Sequence, residues 1–245
     1  MGGIAFVALL IWLCGIVLWA IFKFLKWVVK KIIYFFGTRS IKNKQLLQVA
    51  VDYVEGKIDI NAFNKEYNNN KELVIFLKKQ MVNEIGYFEG CYNVHAFLGR
   101  FLSRQNVGVF SKFWVWLCLE SLLNYYKIPY TPYLKYCEDN AFLLDILPSW
   151  LSCTNDNDVY AKVIEETPTD LAETKRFILG RQKIKELFKY DKTYPRWIHE
   201  PEWPIINGKP LVFSHQKGFN AEDGEVLYYF YDPETKEETI VTQSA

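Results

Sequence analysis

The chain has 245 residues, of which 50% are hydrophobic and 17% aromatic, a composition that excludes an intrinsically disordered or fibrous protein. Seven basic and no acidic residues occur up to Val51, so the remainder carries 22 basic against 28 acidic residues, a net charge of −6. A mildly acidic body argues against nucleic acid as a partner. The length is sufficient for one domain of ordinary size with additional segments.

The first predicted element is a transmembrane helix with a basic extension, residues 1–36. Residues 2–22 contain no charged side chain, and a helix of these 21 residues, rising about 1.5 Å per residue, crosses a hydrocarbon core of ~30 Å. The beginning, Met-Gly-Gly, lacks the charged region of a signal peptide, which predicts an uncleaved anchor. Residues 2–36 are therefore expected to contact a lipid bilayer.

Four lysines follow the uncharged stretch and are candidate membrane-surface residues: Lys23, Lys26, Lys30 and Lys31. The spacing of the first three places them on one helical face, where they would either bind anionic lipid or simply extend to the aqueous interface. Their position after the span predicts an N-terminus outside the membrane and a body in the cytoplasm. Five cysteines without a C-x-x-C pair also suit a reducing compartment.

A helical domain is predicted for residues 45–190, after a linker at 37–44 that contains Gly37. Apolar residues recur at helical spacing throughout the domain. Helix starts are predicted at capping residues, namely Asp59 or Asn61, Asn70, Ser111 and Thr167. The apolar stretch 111–127 is interrupted by Glu120, which favours a buried helix over a second membrane span.

Residues 191–245 are predicted to contain a Trp- and Pro-rich crossing and a β meander. The runs PLVFSHQ, EVLYYFYDP and EETIVTQ are rich in β-branched and aromatic residues and are separated by turn residues, which predicts three antiparallel strands over 210–243. The predicted fold is therefore mainly α, with an N-terminal transmembrane helix, an all-α domain and a small C-terminal three-stranded antiparallel meander packed on it.

The crossing contains the candidate binding residues of the chain, which are Trp197, His199, Glu200, Glu202 and Trp203. Prolines restrict the residues that precede them to extended geometry, so the segment is expected to be stiff. The favoured interpretation is that the two tryptophans pack the tail onto the helical body, and the second is a partner-binding strip. A metal site is disfavoured, because neighbouring residues of an extended chain point to opposite sides.

No nucleotide-binding, serine-hydrolase or zinc-protease motif occurs in the sequence, so no catalytic residue, metal or cofactor is predicted. An enzyme acting on a bilayer substrate is the alternative from another class. Its candidate polar groups would be His95, Glu120, Asp145 and His199, provided that they converge in one pocket.

The tail pattern PRWIHEPEWP, followed by NGKPLVF, resembles the C-terminal module of uncharacterised bacterial proteins, several of which are similar to immunity-type proteins of polymorphic toxin systems. The segment VEGKIDINAFNKEYNNNKELVIFLKK resembles the helical opening of such proteins. The resemblance implies a binding protein that neutralises a protein toxin, here at the bacterial inner membrane. A scaffold subunit of a membrane complex is a further alternative.

Overall fold

The computed structural model of the chain describes residues 43–86, 88, 90–103, 107–154, 159–218 and 224–244. The predicted transmembrane helix with its extension, residues 1–36, and its four lysines lie outside these ranges, as does nearly all of the predicted linker at 37–44.

The membrane part of the predicted fold class requires correction. Within the described residues, no helix is long and apolar enough to cross a membrane. The longest described helix, Val109–Tyr125, has 17 residues and carries Lys112 and Glu120. The structure supports a fold of helices with two small antiparallel sheets, and the prediction of a single-pass protein of the inner membrane is not supported.

Residues 43–46 are helical, and nine further helices follow in the described residues: α1 (Gln48–Val54), α2 (Ile60–Asn69), α3 (Lys71–Lys78), α4 (Val82–Ile85), α5 (Val94–Leu102), α6 (Val109–Tyr125), α7 (Lys135–Ile146), α8 (Val159–Glu165) and α9 (Glu173–Leu187). Two predicted caps are confirmed. Asp59 accepts a hydrogen bond from the N–H of Ala62 at 2.7 Å, and Asn70 accepts one from the N–H of Leu73 at 3.0 Å. These contacts satisfy backbone donors of the first turns of α2 and α3.

Two other predicted helix starts were wrong. The hydroxyl of Thr167 donates to the carbonyl of Val163 at 2.7 Å, so it binds a carbonyl in the last turn of α8. It does not cap α9, which begins at Glu173. Ser111 lies inside the first turn of α6, which begins two residues earlier. A hydroxyl next to an apolar run therefore does not by itself mark a helix start, because Ser and Thr also occur inside a first turn or bond back to a preceding one.

The tail forms two small sheets from five strands: β1 (Ile205–Ile206), β2 (Lys209–Pro210), β3 (Val212–Lys217), β4 (Glu225–Tyr231) and β5 (Glu238–Ser244). Strands β1 and β2 flank Asn207 and Gly208, whose φ angles of 51° and 72° are those of the turn predicted there. The predicted three-stranded antiparallel meander is confirmed, with the order β3-β4-β5.

The described interior divides into two hydrophobic clusters. The first is built mainly from α1 to α6 and ends near Ile128. The second joins α7, α8 and α9 to the inner face of the meander, and Val109 at the start of α6 belongs to it. Phe188, directly after α9, packs with Phe213 and Phe230 in this second cluster. The meander therefore lies on the second half of the helical body, as the marginal stability of an isolated small sheet requires.

Candidate binding site

The candidate site is built on the crossing, residues 194–204, which lead from the helical body to the first β strand. Within this described segment no residue is helical or in a strand. Pro195, Pro201 and Pro204 exclude helical geometry for the residues before them and leave no N–H to satisfy. The sequence thus explains why the segment is extended, but proline alone does not fix its position.

The crossing is held by one side chain from each strand of the meander, Gln216, Tyr228 and Gln243, which we call the clamp. The strand register places Gln216 opposite Tyr228, and Gln243 opposite the buried Val226, so all three lie on the inner face of the sheet. Gln216 accepts from the N–H of Arg196 at 2.8 Å. The hydroxyl of Tyr228 donates to the Arg196 carbonyl at 3.0 Å and accepts from the N–H of Ile198 at 3.0 Å.

Gln243 makes the largest contribution to the clamp. Its side-chain oxygen accepts from the N–H groups of Ile198 and His199, both at 3.1 Å, and its amide nitrogen donates to the carbonyl of Glu200 at 2.9 Å. The residue is only 4% exposed. An extended backbone has no partners of its own, so these bonds replace the ladder that a neighbouring strand would provide.

The two tryptophans attach the crossing to the helical body. Trp203 is 3% exposed, its ring lies 5.4 Å from that of Trp150 and 5.5 Å from that of Phe188, and its N–H donates to the Leu211 carbonyl at 2.8 Å. Trp197 is half-buried and donates to the carbonyl of Trp150 at 3.0 Å. The interpretation that both residues pack the tail onto the body is confirmed by these contacts.

The remaining three candidate residues of the crossing are exposed. His199 donates from Nε2 to the carbonyl of Ser244 at 2.6 Å, so its ring is fixed against the end of β5. Glu200 and Glu202 project from the same short segment, and their carboxylates are exposed. Among the described residues no group of three or more histidine, cysteine, aspartate or glutamate side chains could hold a metal ion. Tyr194, Arg196 and Ile198 are exposed on the same segment. The crossing thus presents two carboxylates, a guanidinium, an imidazole and two apolar side chains on a fixed backbone.

The polar residues considered for catalysis have separate surroundings. His95 on α5 is hydrogen-bonded through Nδ1 to the hydroxyl of Tyr67 on α2, within the first cluster. Burial raises the pKa of Tyr67 to about 12, while desolvation and, secondarily, the charge of Lys78 lower the pKa of His95. The hydroxyl of Tyr67 therefore keeps its proton and donates a hydrogen bond to the neutral imidazole, an arrangement that needs no catalytic explanation.

Glu120 and Asp145 have structural partners of their own. The carboxylate of Glu120 accepts from the hydroxyl of Tyr130 at 3.0 Å. The main-chain carbonyl of Asp145, at the end of α7, accepts from Arg181 at 3.1 Å. The thiol of Cys118 is fully buried, and this burial raises its pKa far above the usual range, which makes it unreactive.

The sequence analysis did not identify Gln216 and Gln243. Both side chains bind the backbone of the crossing and position its exposed residues. Each lies on the inner face of the meander, Gln216 opposite the buried Tyr228 and Gln243 opposite the buried Val226. A glutamine at an inward position needs hydrogen-bond partners, and the crossing supplies them.

Comparisons of the chain with protein-family models, with curated proteins and with solved structures found no match. The resemblance of its tail to immunity-type proteins therefore remains a prediction that rests on the sequence pattern.

Proposed function

We propose that this chain is a protein-binding protein of the immunity type, and that the exposed edge of the crossing contacts its partner. The observation that carries the proposal is the clamp, which fixes the backbone of residues 196–200 through side chains of all three strands of the meander. A binding segment that is already ordered loses little conformational entropy when a partner docks, so more of the contact energy appears as affinity.

The exposed chemistry of the crossing favours a basic partner. Glu200 and Glu202 present two carboxylates within three residues against the exposed guanidinium of Arg196, and the chain after Val51 has a net charge of −6. Opposite charges on the crossing and on its partner accelerate association and disfavour acidic competitors, although each exposed charge at the edge of an interface adds little affinity. A neutraliser needs only to cover the working surface of its toxin, which agrees with a site made of exposed groups on a fixed backbone.

The experiment is a growth-protection assay with matched binding measurements. The full chain is co-expressed with each candidate toxin encoded beside its gene, and a protected pair is purified and its dissociation constant measured. Substituting Glu200→Ala and Glu202→Ala together should slow association by roughly 10-fold, weaken the complex correspondingly, and make the association rate less sensitive to salt.

The matched control removes two exposed carboxylates from helices, Glu66→Ala with Glu173→Ala, and should leave the affinity within about 2-fold. Absence of protection and of a complex with every neighbouring toxin would reject the immunity role. If the Glu200→Ala, Glu202→Ala variant binds the toxin as well as the original chain, the immunity role stands but the binding surface lies outside the crossing.

A further inference from the structure

A groove separates α7 from α9 beyond the point where the two helices touch. A Cβ atom added at Gly180 of α9 would lie 2.9 Å from Cζ of Phe142 and 3.1 Å from Cδ1 of Ile146, so the helices are in closest contact there. Next to this contact lies a cavity of about 280 Å³, lined by Ile146, Leu147, Pro148, Arg181, Ile184 and Lys185. We call it the α7–α9 groove, and it shares no residue with the crossing.

The groove has an apolar floor and apolar margins. Ile146 and Ile184 are buried at its base. Leu144 and Ile178 are 52% and 64% exposed, which is unusual for large aliphatic side chains. Ile178 lies three residues before Arg181 within α9, and therefore one turn away on the same side as this lining residue. The apolar surface therefore continues from the cavity onto α9.

The positive charges of the groove come from Arg181 and Lys185 on α9. On the opposite flank of α9, Lys183 pairs with Glu166 at 2.7 Å and with Glu186 at 3.8 Å. In the part of the chain that the structure describes, no carboxylate lies within salt-bridge distance of Arg181 or Lys185. Arg181 donates one hydrogen bond to the carbonyl of residue 145, which leaves most of its five N–H donors for another group.

We propose that the α7–α9 groove binds an acidic, amphipathic segment of a protein partner. One apolar side chain of that segment enters the cavity, and a carboxylate beside it binds Arg181 and Lys185. These two cations follow one another at i and i+4, so they lie on one face of α9 at a spacing that a single carboxylate can bridge. The planar guanidinium suits a carboxylate in particular.

The concave shape favours a protein segment over a membrane surface. A bilayer meets proteins along a flat or convex apolar face with several lysines or arginines around it. Here two cations border a cavity that has room for an inserted side chain, as in the recognition of amphipathic helices by apolar grooves. The proposal goes beyond the function of the crossing, because it assigns a second surface of opposite charge.

The test uses a fluorescein-labelled helical peptide with leucines along one face and glutamates beside them, titrated against the full chain by fluorescence anisotropy. The chain is purified in non-ionic detergent, which keeps the uncharged residues 2–22 in solution, and the detergent alone is the blank. Two control peptides carry lysine for glutamate or serine for leucine. We expect saturable binding of the acidic amphipathic peptide and at least about 10-fold weaker binding of both controls.

The variant Arg181→Glu with Lys185→Glu should weaken binding by roughly 20-fold, because two attractions become repulsions. The matched control, Lys65→Glu with Lys71→Glu on the exposed faces of α2 and α3, changes the net charge equally and should have an effect below about 2-fold. Ile178→Ser alters an exposed residue without touching the charges, and should weaken binding by about 5-fold if the apolar margin contributes.

Three results would overturn the proposal. The first is no saturable binding of the acidic peptide up to ~1 mM, or equal binding of the lysine peptide. The second is sedimentation with phosphatidylserine vesicles that Arg181→Glu with Lys185→Glu abolishes, since this would identify a membrane as the occupant. The third is a concentration-dependent dimer lost in the same variant, which would identify a second copy of the chain. Should the charge-reversed protein unfold, Ile178→Ser decides the question by its affinity alone.

Discussion

Replacing Gln243 by alanine should loosen the crossing, and with it the proposed binding site. The substitution removes three hydrogen bonds at once, two accepted from the N–H groups of Ile198 and His199 and one donated to the carbonyl of Glu200. It also leaves space under an extended backbone that has no strand partner. The meander itself keeps its ladder, because Gln243 contributes to that ladder only through its main chain.

The magnitude follows from the number and burial of these bonds. Each intramolecular hydrogen bond contributes a net ~1 kcal/mol, and a buried donor left without a partner costs about 1–3 kcal/mol. Because the crossing is partly exposed, water can replace some of the lost partners, so we expect a loss of about 2–4 kcal/mol in the free energy of unfolding. For a protein of this size that corresponds to a decrease of roughly 6–12 °C in Tm.

Urea unfolding followed by tryptophan fluorescence measures this loss directly, since Trp197 and Trp203 report on the crossing. The comparison is Gln216→Ala, which removes one exposed bond, that from the N–H of Arg196, and should cost less than about 1 kcal/mol. Gln243→Met fills the space without the bonds and should resemble Gln243→Ala. If Gln243→Ala and Gln216→Ala destabilise the protein equally, the clamp does not hold the crossing as argued.

Three further substitutions test the packing and the charge state of the body by thermal and urea unfolding. Trp203→Ala should cost about 3–5 kcal/mol, as expected for a buried aromatic ring, and a loss below about 1 kcal/mol would contradict its anchoring role. Gly180→Ala should destabilise by about 1–3 kcal/mol through the clash with Phe142, although alanine normally favours helices, and a stabilised variant would contradict the close contact. The lowered pKa of His95 means that the unfolded chain binds the proton more readily, so stability should be full above about pH 6.5 and decline as the pH falls through this value. His95→Gln should remove this decline and, by losing the bond from Tyr67, lower stability at pH 7.5; an unchanged pH dependence would contradict it.

Local sequence patterns predicted those elements whose causes are local. The caps at Asp59 and Asn70, the turn at Asn207 and Gly208 and the three strands of the meander follow from residue types at short spacing. The start of α9 could not be predicted in this way, because the hydroxyl of Thr167 can cap a following helix or close a preceding one with similar energy. The membrane placement was inferred from residues outside the described part of the chain, and no described helix supports it.

The contacts that hold the candidate site join residues far apart in the chain, and local sequence patterns predicted them only in part. Prolines predicted that the crossing is extended, and aromatic content predicted that Trp203 is buried, yet neither indicates what holds residues 196–200. The strand register supplies that information, because Thr239, Val241 and Gln243 lie opposite Phe230, Tyr228 and Val226, which are all buried. An amide among inward residues must find donors and acceptors, and the nearest unpaired backbone belongs to an extended segment more than forty residues earlier. A buried glutamine at an inward strand position therefore indicates a second backbone segment across that face, but only the strand register, which pairs Gln243 with the buried Val226, shows that this amide points inward.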